Sequence, residues 1–392
     1  MDDFERKFLM LALALGLGNA CDFKVVGEEG KKNYQLLFST LIKMIENDQH
    51  EFFIDKAKKT EIISSLKRTI DFYNTNSPKE LQQLIESMNK NTSSNFMIIP
   101  TYINLEKYDH VYSLILYQKE DHCVVTMVDK LGIGSGEYSN GAFSKIKAEN
   151  LYALSEFLFL TKFEYHKNSN YNLSEIIYQL GEGKYDREYL NLTMNGYKGV
   201  QNRPVVEILA SLKTALYNYQ VNIFDHTTNL DLMGTALETE DVYLKPKIGG
   251  AEEFYRHLFN AFKEETQRYN QAFEHAFNYY LQRKLEKKEI SKDPNFSEKK
   301  FTIAYAKNFA EDPNTPESFK MSQMDNQRTF RVFSSEEEPN LKETLDVLSF
   351  DWKFSQQNKD KEKQRLAELV QEANKETKST VMKKSEMFSI QR

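Results

Sequence analysis

The sequence predicts an α+β fold: a small antiparallel sheet packed on helices, with long helices towards the C-terminus. Three observations predict it. Three short runs rich in β-branched and aromatic residues follow one another between 96 and 128. Apolar residues recur at spacings of three and four on both sides of them. The 392 residues are 40% hydrophobic and 13% aromatic, with 27 Phe and 22 Tyr, which is ample for a sizeable core and unlike a disordered chain.

Helical periodicity covers 4–17, 31–47 and 61–73. A fourth helix begins at Pro78, with Asn76 or Ser77 as N-cap and Leu81, Leu84, Ile85 and Met88 as its buried stripe. The pattern then changes to strands at 96–103, 111–117 and 123–128. The stretch 132–141 holds four glycines and reads as a loop before a short strand at 142–147. Helices resume at 149–160, 173–180 and 205–219, the last with Val206, Leu209, Leu212, Leu216 and Tyr217 on one face. From Gly249-Gly250 one long helix is expected to about 288, its stripe being Phe254, Leu258, Phe262, Tyr269, Phe273, Phe277 and Leu281. Such a stripe must dock, most simply within the chain, although a later helix at 357–374 or a partner protein would also serve. Ser334-Ser-Glu-Glu-Glu-Pro339 reads as a solvated linker and the residues from Lys375 as a polar tail. The expected organisation is therefore an N-terminal helical part at 1–95, an α/β core at 96–245, a long-helix extension at 246–333, and a linker, helix and tail at 334–392.

The formal charge of −6 and pI of about 5.8 provide no basic field for nucleic acid or an anionic membrane surface. Two cysteines make neither a disulfide framework nor a CxxC pair, so a reducing, cytosolic-type environment fits best. The apolar run Phe8–Leu17 is about half a transmembrane span, so membrane insertion is not expected. Its end, Gly18-Asn-Ala-Cys21, resembles a lipoprotein cleavage site, but a start of Met-Asp-Asp-Phe-Glu lacks the basic flank of a signal peptide, and a buried or docking helix is expected instead.

Most residues that could carry chemistry read more simply as structure. Gly132-Ile-Gly134-Ser-Gly136 follows a strand but lacks the Lys-Ser/Thr and the helix of a phosphate-binding loop. His257 and His275 would lie about 27 Å apart on one helix and cannot share a metal. Asp225-His226 reads as readily as a turn. Neither a cofactor nor a metal is expected. What remains is the hairpin formed by 111–117 and 123–128. With Gln118–Asp121 as a four-residue turn, His110 stands directly opposite Asp129, and Tyr112, Leu114 and Leu116 oppose Met127, Val125 and Cys123. A three-residue turn would instead set His110 against Lys130 and place Thr126 among the leucines; the first register segregates apolar groups better. A carboxylate beside an imidazole fixes its tautomer and stabilises the imidazolium, as a general base requires. The same pair is equally at home as a surface ion pair.

A His opening one central strand and an Asp closing the next resembles the papain-like cysteine proteases, and in particular the papain-like domains of effectors secreted by intracellular bacteria. Those domains have a His-led strand, an Asn-Arg-Gly strand end and a helix beginning Gln-x-x-x-Asn-Cys and continuing to Ser-x-Lys. Here His110-Val-Tyr-Ser-Leu-Ile-Leu answers the first element, Asp129-Lys-Leu-Gly132 the second, and Gln201 through Ser211-Leu-Lys213 the third, over about 96–220. The positions at which the cysteine is expected hold Val206 and Glu207. Cys21 would restore the order of papain itself, but it follows the Gly16-Leu-Gly18 end of a helix, where the dipole raises a thiol pKa; Cys123 lies on the core face of a strand. The resemblance implies a papain-like core that has lost its cysteine and acts, after secretion into a host cell, by binding a host protein. The alternative it leaves open is an active hydrolase or acyltransferase with His110 as base, Asp129 as its orienter, Gln201 as oxyanion donor and Cys21 as the candidate nucleophile.

Overall fold

A computed structural model of the chain describes residues 1–18, 23–105, 108–129, 141–162, 177, 180–181, 204–224, 251–263 and 267–324. It is a mixed α+β fold with one four-stranded antiparallel sheet.

The first apolar run is the axis of the core. Helix α1 (Asp3–Ala14) starts with a capping box, in which Asp2 accepts from the Glu5 amide at 2.8 Å and Glu5 accepts from the Asp2 amide at 3.0 Å. It ends where Gly16 turns to a positive φ of 70°, and the amides of Gly16 and Leu17 return to the carbonyls of Leu13 and Ala12. Between these caps every side chain from Phe8 to Leu15 is buried, as expected of a helix apolar on all sides. Its one charged core group, Arg6, donates to Asn33 at 2.7 Å and to Glu29 on α2 (Gly27–Glu46); Asn33 in turn donates to the Lys24 carbonyl. Those bonds from Arg6, with Lys32, hold the Glu29 carboxyl down to about 2.

Helices α3 (Lys56–Phe72) and α4 (Pro78–Glu86, capped by Ser77) lead into β1 (Phe96–Leu105), β2 (Tyr108–Gln118), β3 (His122–Val128) and β4 (Gly141–Lys147), which pair in chain order. Helix α3 covers the free edge of β1. The Phe96 amide donates to Ser65 Oγ and the Ile98 amide to Thr69 Oγ1, each at 3.0 Å, while Arg68 donates to the Phe96 carbonyl. Two hydroxyls one helical turn apart thus replace a missing strand. Changing Thr69 to Val keeps the shape and strands the Ile98 amide, so stability should fall by about 1–3 kcal/mol. Hydrogen exchange at Ile98 should accelerate, and unchanged protection there would refute the edge role.

After a 3₁₀ turn (Ala148–Asn150), α5 (Leu151–Leu160) packs on α4. Just beyond it, Lys162 donates to the carbonyls of Phe72 and Thr75 and to Thr75 Oγ1, closing the C-terminal end of α3, and lies 4.2 Å from the Phe159 ring centre. Helix α6 (Pro204–Gln220) lies on the sheet over β2.

The expected single helix from 249 to 288 is instead two, α7 (Ala251–Phe262) and α8 (Gln267–Ile290). They run antiparallel: Tyr255 meets Tyr280 with ring centres 5.4 Å apart, Phe259 stacks on Phe277 at 4.5 Å, and Phe262 meets Phe273 at 6.4 Å. Folding back buries the aromatic stripe against itself and against α1, which a straight helix could not do. Two further helices, α9 (Glu298–Glu311) and α10 (Glu317–Met324), follow where none was expected, and Phe309 and Phe319 pack on Phe8 of α1. The docking of the stripe within the chain is as expected. The expected helices at 173–180 and 357–374, the 132–141 loop, Asp225-His226, the linker and the tail lie wholly or largely outside the described residues.

Candidate functional site

The β2–β3 hairpin was expected to carry the site, and its register differs from both alternatives. Ser113 pairs with Val128, Leu114 with Met127, Leu116 with Val125 and Gln118 with Cys123. The Lys119 amide donates to the His122 carbonyl at 2.8 Å, which closes a two-residue turn at Glu120-Asp121. Gln118 is the cause. It is buried and belongs to the ladder rather than to the turn, so every pairing moves by two positions. A shift of two preserves the faces, and the expected segregation of Leu114 and Leu116 with Met127 and Val125 holds. It changes the site, however. One step beyond the Ser113–Val128 pair, Asp129 comes level with Tyr112, and His110 lies two positions further along β2, where it pairs with Ile103 of β1. The two are offset by two positions in register rather than directly opposed.

Asp129 is fully buried. Gln201 and Cys21 lie outside the described residues. Cys123 is 1% exposed, and burial pushes its thiol up to about 12, so it is a core residue and not a nucleophile.

Helix α6, which carries Val206 and Glu207, packs on the other side of β2 from Leu114 and Leu116. Ser211 and Ser113 share a short hydroxyl–hydroxyl bond, Ser211 Oγ lies 2.8 Å from the Glu207 carbonyl, and Asn218 donates to the Tyr117 hydroxyl at 2.9 Å. Glu207, Ser211, Thr214 and Asn218 recur at helical spacing and are all buried, which makes a polar seam between α6 and the sheet. Ser113 and Tyr117 are odd positions of β2, whereas Asp129 is level with an even one.

Two imidazole–carboxylate pairs that the sequence reading passed over are formed. At the hairpin tip, His122 Nδ1 lies 2.7 Å from Asp121 Oδ1. Near the C-terminal helices, His275 Nε2 lies 3.4 Å from both Asp312 Oδ1 and Thr315 Oγ1. Both partners meet the same nitrogen, so no relay to a nucleophile results, and Thr315 is engaged in donating to the Phe309 carbonyl. An acid followed directly by His at a hairpin turn is a sequence signal for the first pair. Nothing in the sequence signals the second, whose imidazole lies on α8 and whose partners lie between α9 and α10. His257 stacks on Phe52 at 4.7 Å as a packing residue. Among the described residues no group of three or more His, Cys, Asp or Glu is placed to hold a metal, and no helix is long and apolar enough to cross a membrane. No protein-family model, curated protein or solved structure matches the chain, so its site is read from its own residues.

Proposed function

We propose that this chain acts by binding a protein partner, as an effector-type protein whose papain-like core has lost its catalytic cysteine and whose partner is a host protein. The observation that carries the reading is the hairpin register, which offsets His110 by two positions from Asp129 instead of setting the two directly opposite. Glu207, at one of the two positions where the cysteine is expected, is itself buried. A general base needs its nucleophile within about 3 Å. The papain-like identity and the host setting rest on the resemblance in 96–220 alone.

The test is labelling of the full chain with a thiol-directed electrophile that depends on an activated thiolate, in wild type and in Cys21→Ala, His110→Ala and Asp129→Asn variants. Any labelling of Cys21 is expected to be slow and indifferent to the His110 and Asp129 changes. Fast labelling lost in all three variants would restore the hydrolase or acyltransferase reading, with Cys21 as nucleophile and His110 as base.

A further inference from the structure

The tip of the β2–β3 hairpin is where three segments are tied together. The Lys119 amide donates to the His122 carbonyl at 2.8 Å, the Ala148 amide after β4 donates to the Asp121 carbonyl at 3.1 Å, and the Asn91 amide before β1 donates to the Gln118 carbonyl at 2.9 Å. Asn91 Nδ2 adds a bond to Glu120 at 3.3 Å. At the centre sits His122, with only 12% of its side chain exposed, bonded through Nδ1 to Asp121, whose own side chain is 82% exposed. Its other nitrogen, Nε2, is buried and has no hydrogen-bond partner among the described residues. The charged groups acting on the ring are Asp121 and Lys119 of its own hairpin and Lys145 of β4, with Lys147 across from it in register.

The carboxylate selects the tautomer with the proton on Nδ1, which leaves Nε2 as a bare lone pair. A buried lone pair is tolerable. Protonation turns it into a buried N–H donor with no acceptor among the described residues and puts a positive charge beside two lysines, while the counter-charge of Asp121 is largely in water and screened. We propose that this tip is an acid-sensitive latch: when His122 takes up a second proton, the ties of Lys119 and Ala148 loosen and the hairpin tip opens from β4. Burial, aided by Lys119 and Lys145 and opposed by Asp121, holds the His122 pKa below its ordinary value. The unfolded chain therefore binds this proton more readily than the folded one, and the contribution to stability falls as the pH drops through the ordinary imidazole range of about 6.5.

The test is amide hydrogen exchange on the full chain at about pH 7.5 and about pH 5.5, corrected for the intrinsic pH dependence of exchange, with the His122 ring followed by NMR titration. Opening at Lys119 and Ala148 should rise about fivefold or more on acidification in wild type, while Ile98, bonded to Thr69, is unchanged. His122→Leu should abolish the rise, and Asp121→Asn, which removes the counter-charge, should move the ring titration to lower pH. An equal rise in the His122→Leu variant, no rise in wild type, or a ring titrating at or above the ordinary imidazole value would each overturn the latch. The NMR titration needs only the wild-type chain, so the proposal stays decidable if the leucine variant does not fold.

Discussion

Truncating Phe8 to Ala should lower the free energy of unfolding by about 3–5 kcal/mol, a large part of the roughly 5–15 kcal/mol that holds a typical domain together. Phe8 is 1% exposed and is met by four rings from four places in the chain. Phe4 and Phe273 have centres 6.2 Å away, Phe309 stacks at 6.3 Å, and Phe319 meets it edge-on at 5.4 Å. A cavity walled by α1, α8, α9 and α10 cannot collapse without moving several helices, so the full cavity cost adds to the lost transfer energy. A urea titration measures this as a lower midpoint with an unchanged slope. Limited proteolysis should in addition open α9 and α10 first, because Phe309 and Phe319 lose one of the rings they pack on. A loss below about 1 kcal/mol would mean that α1 is not the axis of the core.

Replacing Arg283 by Ala should cost about 2–3 kcal/mol through a different mechanism. Its guanidinium donates from Nη1 to the Gly16 carbonyl and from Nη2 to the Leu15 carbonyl, each at 2.6 Å, and so satisfies the open end of α1 from α8. Helix ends leave such carbonyls without intrahelical partners, and a fork of two parallel N–H groups serves both at once. Lys at this position brings one ammonium and no fork, so Arg283→Lys should recover at most about half of the loss. The acceptors are neutral, so the loss should persist in high salt, unlike that of a surface ion pair. A lysine variant as stable as wild type, by thermal or urea unfolding, would show that charge alone matters here.

How far the molecule was legible in its sequence differs from element to element. The strands were readable because β-branched and aromatic runs are a local signal. Helix α1 was readable as a buried helix because a run apolar on every side, with an acidic rather than a basic start, has few other fates. The division into α7 and α8 was not readable, since Lys263-Glu-Glu-Thr266 contains neither Gly nor Pro; what sets the two helices antiparallel is the meeting of Phe259 with Phe277, eighteen residues apart. Helices α9 and α10 went unread although α9 carries Phe301, Tyr305 and Phe309 at a spacing of four, a local helical signal; only the tertiary structure shows what that face meets, Tyr279 and Phe8 among others.

The candidate site divides in the same way. The sequence by itself determined that 111–117 and 123–128 form a hairpin and which of their residues share a face, because side-chain alternation has a period of two that any even shift preserves. Which residues stand opposite each other was decided only by tertiary structure. Gln118 is a turn residue by composition, yet it is enclosed and drawn into the ladder opposite Cys123. Ser113 turns towards Ser211, ninety-eight residues away in sequence, which commits that side of β2 to α6. Ser113 takes its place from the partner that satisfies it once it is buried, and that partner is set by the fold and not by neighbours in the chain.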